Sequence, residues 1–179
     1  MEKLCELGAW SFRPLLTDHS ARMGSKGGQR EQQQIRESIS GREDRWKRLA
    51  VAASKQCRRD HFMEMLPAMS LDEILLDMSS TNSAEPKKVQ QELVLAAHQT
   101  GEPLRNFSLN RMIVNNKQQE GEGENMGTLL VGPEGDFSQR ELQLLQESDR
   151  CSLVGLGDLR LRVETAALAL MTGVRLLEI

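Results

Sequence analysis

The stretch TLLVGPEGDF, residues 128–137, followed after a polar segment by CSLVGLGDLRLRVETAALALMTGVRLLE, residues 151–178, decides the fold. Thr128 to Val131 is β-branched and aliphatic. It stops at Gly132-Pro133-Glu134-Gly135, where proline lacks an amide donor and the glycines favour positive φ. Ser138 with Glu141 three residues on has the spacing of a capping box, and Leu142, Leu144 and Leu145 give the next helix an apolar side. Cys151 to Val154 repeats the strand pattern and Gly155 to Asp158 the turn. From Val163 onward Ala166, Ala167, Leu170, Val174 and Leu177 recur at helical spacing. Strand, loop, helix, strand, loop, helix predicts an open α/β fold, in which ligands sit where strands end in loops. Taken alone, the first turn reads more readily as an ordinary connection in a core than as a ligand loop. Two arginines and a glutamate, Arg160, Arg162 and Glu164, crowd the approach to the last helix, which a purely structural connection does not require.

Outward from that stretch the chain is one domain's worth of protein at 179 residues, enough for a single sizeable core. Four Phe, two Trp and no Tyr leave that core mainly aliphatic. No apolar run approaches the roughly 18–20 residues of a membrane span, and residues 1–10 lack a signal-peptide pattern, so the chain reads as soluble, with no membrane partner. Cys5, Cys57 and Cys151 are odd in number and far apart, without histidines at ligand spacing, which predicts buried or partly buried thiols rather than zinc or a disulfide framework. His61 and His98 read as ordinary core or surface histidines.

The net charge of −3 conceals an asymmetry. Residues 22–59 hold eleven Lys/Arg against four Asp/Glu, a surplus of +7, so the remainder carries −10. Trp46, Leu49, Ala50, Ala53 and Cys57 line one side of a helix over residues 42–59 and leave Arg45, Lys47, Arg48, Lys55 and Arg58 displayed on the others. With Arg59, these residues predict an RNA-facing element, since phosphates reward such a surface without reading base sequence. Residues 20–41 and 117–126 are predicted as flexible loops, 61–66 as a short strand, 71–78 as a helix and 92–97 as a strand.

GPEGDF followed by LGDLRLRVETA resembles the paired signatures of the RsmE family, SPOUT-class methyltransferases that methylate N3 of a uridine in small-subunit (16S-type) ribosomal RNA; the usual forms there are GPEGGF and LGxRILRxETA. KLCELGAWSFRPLLTDHS and RWKRLAVAASKQCRRD are similar to the family's ELG…P…ERS and RW…AxxQxxR segments, so the resemblance covers most of the chain. Asp136 stands in place of a glycine, Asp158-Leu159-Arg160 in place of x-Arg-Ile, and His19 in place of an arginine. The resemblance implies a single SPOUT domain over residues 1–179, an α/β fold with a parallel sheet flanked by helices and a C-terminal trefoil knot, a homodimer, and an N-terminal RNA-binding barrel that this chain lacks, so that it reads as truncated. It implies cytoplasmic location in a bacterium, and chloroplast or mitochondrion in a plant or alga.

The same resemblance implies S-adenosylmethionine as cofactor, folded between the two glycine loops and held around Leu130, Val131, Gly132, Gly135, Leu156, Gly157 and Leu161. The ring nitrogen of uracil carries a proton, so methylation requires a base near that nitrogen and positive charge near the flanking oxygens. Arg162 is the candidate for the second role. Glu134 and Glu164 are candidates for positioning or proton removal, and equally for pinning their own loops; no metal is needed. The alternatives are an inactive SPOUT-fold protein that binds RNA or cofactor, and a generic nucleotide-binding α/β module.

Overall fold

The computed structural model describes residues 1–20, 29–79, 93–107 and 127–177. The chain divides into two compact units, residues 1–71 and 72–179.

In the first unit, α1 (Glu2–Glu6) packs against the long α2 (Gln29–Gln56), and two pairs of very short parallel strands complete it: β1 (Ser11–Phe12) with β3 (Glu64–Met65), and β2 (Leu15–Leu16) with β4 (Met69–Ser70). Its core is small, with Cys5, Ala50, Ala53 and Met63 buried and Ala9, Phe12 and Met65 against them. Small residues at 50, 53 and 54 let α1 approach α2 closely, so that the Cys5 thiol lies 3.1 Å from Ser54 Oγ and 3.7 Å from the Ala50 carbonyl. Trp46 meets Phe12 edge to face at 5.9 Å. The apolar side expected for this helix is the side that packs.

Two expectations are corrected in this unit. The loop predicted over 20–41 is helical from Gln29 onward. Glutamine, glutamate, arginine and isoleucine are adequate helix formers, and Arg36 fastens this part of α2 by donating from Nη1 to the Ala68 carbonyl at 2.8 Å. The strand predicted over 61–66 contracts to Glu64–Met65. The loop predicted over 117–126 lies outside the described residues.

The second unit contains α3 (Leu71–Ser79, whose first residue belongs to the first unit), β5 (Val94–Pro103), β6 (Thr128–Val131), α4 (Gln139–Glu147), β7 (Cys151–Gly155) and α5 (Val163–Leu177). Its sheet is parallel, in the order β6-β5-β7, so the connection through α4 crosses over β5. Val94, Leu95 and Ala96 are fully buried, as a central parallel strand covered on both faces requires. Leu95, Phe107, Val154, Leu170 and Val174 form the core cluster, so the apolar stripe of α5 lies against the sheet. Burying a side chain such as Leu170 contributes about 1.5–3 kcal/mol. The capping box at α4 is formed: Ser138 Oγ accepts from Glu141 N at 3.2 Å and Glu141 Oε2 accepts from Ser138 N at 2.8 Å.

The central strand is not plain. Ala97 and Glu102 both pair with Val154, so residues 98–101 bulge out of β5. Gly101 makes this possible, because a Cβ there would run into the backbone of Leu153 and Val154. The bulge pushes His98 and Gln99 out at the C-terminal end of the sheet.

All three cysteines are free, with Cys5 buried and the others half-buried. Burial pushes the Cys151 thiol up to about 11, which keeps it protonated and unreactive near neutral pH.

Candidate functional site

The carboxyl ends of β5, β6 and β7 open into a cleft of about 320 Å³ within the second unit. This lies at the lower end of the range for small-molecule sites, about 300–1,000 Å³. It has three walls: Ala97 to Gln99 from the β5 bulge, Val131 to Glu134 with Asp136 from the loop after β6, and Leu156, Gly157, Leu159 to Val163 and Ala166 from the loop after β7 and the start of α5. Ala97, Val131, Leu156, Leu161, Val163 and Ala166 make it apolar inside, and Glu134, Asp136, Arg160 and Arg162 charge it.

The first glycine loop is held by its own bonds. Asp136 N donates to the Pro133 carbonyl at 2.8 Å, and Asp136 Oδ1 accepts from Phe137 N at 2.8 Å. Asp136 has φ of 63°, a left-handed conformation that aspartate tolerates better than most residues. Gly132 is buried beneath it, and a Cβ there would stand 3.3 Å from both Asp136 Oδ1 and the Phe137 ring. The second loop turns through Gly157 at φ of 119°, and residues 157–160 are exposed. Arg160 reaches across the cleft, Nη2 donating to the Glu134 carbonyl at 2.6 Å. The Arg162 carbonyl accepts the first helical bond of α5 from Ala166 N at 2.8 Å, which places its guanidinium-bearing residue at the helix entrance on the cleft wall.

Of the residues expected to hold a cofactor, Val131, Gly132, Leu156, Gly157 and Leu161 line the cleft. Leu130 does not, because strand neighbours point to opposite faces and its side chain is buried in the core. Gly135, at the tip of the turn, is exposed beside the cleft rather than in its lining. Of the catalytic candidates, Arg162 and Glu134 line the cleft and Glu164 does not. Successive helical residues point about 100° apart, so with Val163 and Ala166 facing the cleft Glu164 is turned away from it.

The expected basic face of α2 is present in part. Arg45, Arg48 and Arg58 are exposed. Arg59 is instead committed to the protein: its guanidinium donates to the carbonyls of Cys5 at 2.7 Å, Ala9 at 2.9 Å and Gly8 at 3.4 Å. Those carbonyls lie in the last turn of α1 and just beyond it, where the negative end of the helix favours a cation.

His98, read from the sequence as an ordinary histidine, lines the cleft, as do Asp136 and Arg160. Its Nε2 lies 3.5 Å from Asp136 Oδ2, and Nδ1 lies 2.8 Å from Thr100 Oγ1 and 3.2 Å from Thr100 N. Nothing local to His98 announces this, because the bulge that presents it depends on Gly101 meeting Val154. Among the described residues, no group of three or more His, Cys, Asp or Glu is placed to hold a metal ion, and no helix is long and apolar enough to cross a membrane.

A parallel sheet whose strand ends carry two facing glycine loops, with two arginines on the second, has its cleft where ligands bind in open sheets of the α/β class. More particularly, the chain belongs to the RNA methyltransferase domain family, whose model matches residues 1–175. It is 25% identical over 167 residues to the ribosomal RNA small subunit methyltransferase E of Aquifex aeolicus, covering 93% of this chain and 57% of that protein. Over 50 residues it is 46% identical to the Rickettsia conorii protein of the same name. Two solved structures share its fold. One is a Legionella pneumophila protein with bound S-adenosylmethionine (TM-score 0.66, 23% identity, 98% of this chain and 58% of that one). The other is the Neisseria gonorrhoeae ribosomal RNA small subunit methyltransferase E, also with S-adenosylmethionine (TM-score 0.62, 22% identity, 98% and 58%). The chain thus spans a little over half the length of the Aquifex, Legionella and Neisseria proteins, and the Rickettsia match covers 28% of this chain and 20% of that protein.

Proposed function

We propose that the chain forms the catalytic part of an S-adenosylmethionine-dependent methyltransferase that acts on N3 of a uridine in small-subunit ribosomal RNA. The observation that carries this reading is the cleft itself, in which both signature loops converge with Glu134, Arg160 and Arg162 on its walls. Membership in the family and the names of the relatives support it.

The cleft suits the cofactor. Its apolar walls fit a purine, and the glycines at 132 and 157 let a ligand approach the main chain. When bound, S-adenosylmethionine supplies a methyl group on a positively charged sulfur. Arg162 orients the uracil edge and stabilises the negative charge that spreads to the carbonyl oxygens once N3 loses its proton. The Glu134 carboxylate, exposed at the mouth, is the candidate acceptor for that proton. Arg45, Arg48 and Arg58 supply phosphate contacts. A C-terminal trefoil knot and a homodimer belong to the same reading; Leu176 on α5, 66% exposed, offers apolar surface for the dimer.

Calorimetric titration with S-adenosylmethionine, with mass determined in the same buffer, tests the first step. Transfer of labelled methyl to unmodified small-subunit RNA tests the second. Saturable cofactor binding with transfer is the expected result, and binding by a folded protein without any transfer would favour the inactive binding protein. Replacing Arg45 and Arg48 with glutamine is expected to weaken RNA binding uniformly across sequences and lower the salt slope by roughly 1–2.

A further inference from the structure

We propose that Asp136 makes the cleft charge-selective, favouring the sulfonium cofactor over the neutral thioether product that remains after methyl transfer. The proposal rests on the reading of the cleft as an S-adenosylmethionine site and adds a specificity-determining residue to it.

Asp136 occupies a position where its backbone, with φ of 63°, would suit glycine. A carboxylate there is nonetheless built in. Oδ1 accepts from Phe137 N at 2.8 Å, which fixes the side-chain torsion, and Oδ2 faces His98 Nε2 at 3.5 Å. Thr100 N, which can only donate, points at His98 Nδ1 from 3.2 Å. With Nδ1 accepting from Thr100 N, the other ring nitrogen, Nε2, is left on the side of Asp136.

The other charged groups lining the cleft are Glu134, Arg160 and Arg162, and Arg160 spends a donor on the Glu134 carbonyl. Asp136 accordingly offsets part of the positive field that two guanidiniums would otherwise create around a cationic ligand. S-adenosylmethionine and S-adenosylhomocysteine differ by one methyl and one positive charge on sulfur. The cleft, at about 320 Å³, is compact enough that a ligand filling it lies within Coulomb reach of this rim carboxylate. For a partly solvated pair of unit charges roughly 6–8 Å apart, the discrimination expected is about three- to tenfold in affinity.

The test is calorimetric titration of the wild-type chain, Asp136→Asn and Asp136→Gly, each with S-adenosylmethionine and with S-adenosylhomocysteine. Asparagine tolerates the left-handed backbone and keeps an acceptor for Phe137 N while removing the charge. Glycine is at ease at this φ and provides the same readout should the asparagine variant fail to fold. The expected result is a three- to tenfold fall in the preference for the sulfonium ligand in both variants, mostly through weaker S-adenosylmethionine binding. Equal changes for both ligands, or none, would overturn the proposal and leave Asp136 a loop-shaping residue, with the cofactor reading standing. If folded wild-type protein bound neither ligand, the cofactor reading itself would fall, and this inference with it.

Discussion

The loop after β6 and the loop after β7 face the same cleft but are stabilised differently. The first closes on itself: Asp136 bonds back to Pro133 and forward to Phe137, and the capping box of α4 starts immediately after it. The second runs through four exposed residues, 157–160, with Leu159 79% exposed, and reaches the first through Arg160 and the Glu134 carbonyl. A loop satisfied by its own hydrogen bonds is shaped before a ligand arrives. A loop with solvent-exposed backbone and few buried side chains is drawn from the low-stability end of the structure, and a ligand does more of its ordering. The first loop therefore supplies shape and the second supplies capture.

Substitutions can break or sharpen that contrast. The largest effect is expected at the entrance to α5. Arg162→Ala should reduce methyl transfer by about 100- to 1,000-fold while leaving S-adenosylmethionine affinity largely intact. A large loss of cofactor affinity instead would mean that Arg162 holds the cofactor rather than the base. Next is Gly157→Ala. A Cβ there meets nothing within 4 Å, but φ of 119° is poorly tolerated by alanine. The cost is on the order of 1–3 kcal/mol, and it should appear mainly as weaker cofactor binding in calorimetry, since the exposed loop can relax in the free protein. Arg160→Ala removes the tie between the loops and should weaken cofactor affinity about three- to tenfold, with no change in the urea midpoint. The smallest effect is expected at the helix cap that follows the self-closed loop. Ser138→Ala should lower stability by about 1 kcal/mol in urea unfolding, with cofactor affinity nearly unchanged. If Ser138→Ala proved worse for binding than Arg160→Ala, the assignment of roles to the two loops would be reversed.

Much of the second unit was legible in the sequence because its rules act over a few residues. Thr128–Val131 ends as a strand where Gly132-Pro133 must turn, Ser138 and Glu141 cap each other, and Ala166, Leu170 and Val174 repeat on the buried side of one helix. The same local rules underestimated α2, whose first turns over residues 29–41 are polar enough to read as a loop; in the fold Arg36 fastens that part of the helix to the Ala68 carbonyl. Local rules also assigned Arg59 to RNA. Its neighbours Arg45, Arg48 and Arg58 are displayed, and no pattern in the sequence says that one arginine of the four turns inward to collect three carbonyls.

By itself, then, the sequence determined where strands stop, which residues cap and bury the helices, and that two glycine turns carry arginine and carboxylate chemistry between them. Each of those features depends on contacts within about one helical turn or one tight turn of the residue concerned. The tertiary structure alone decided that His98 enters the cleft and that Arg160 joins the two loops. Those placements come from the parallel register of β5 between β6 and β7 and from the bulge that Gly101 allows against Val154, contacts between residues far apart along the chain that no local pattern encodes.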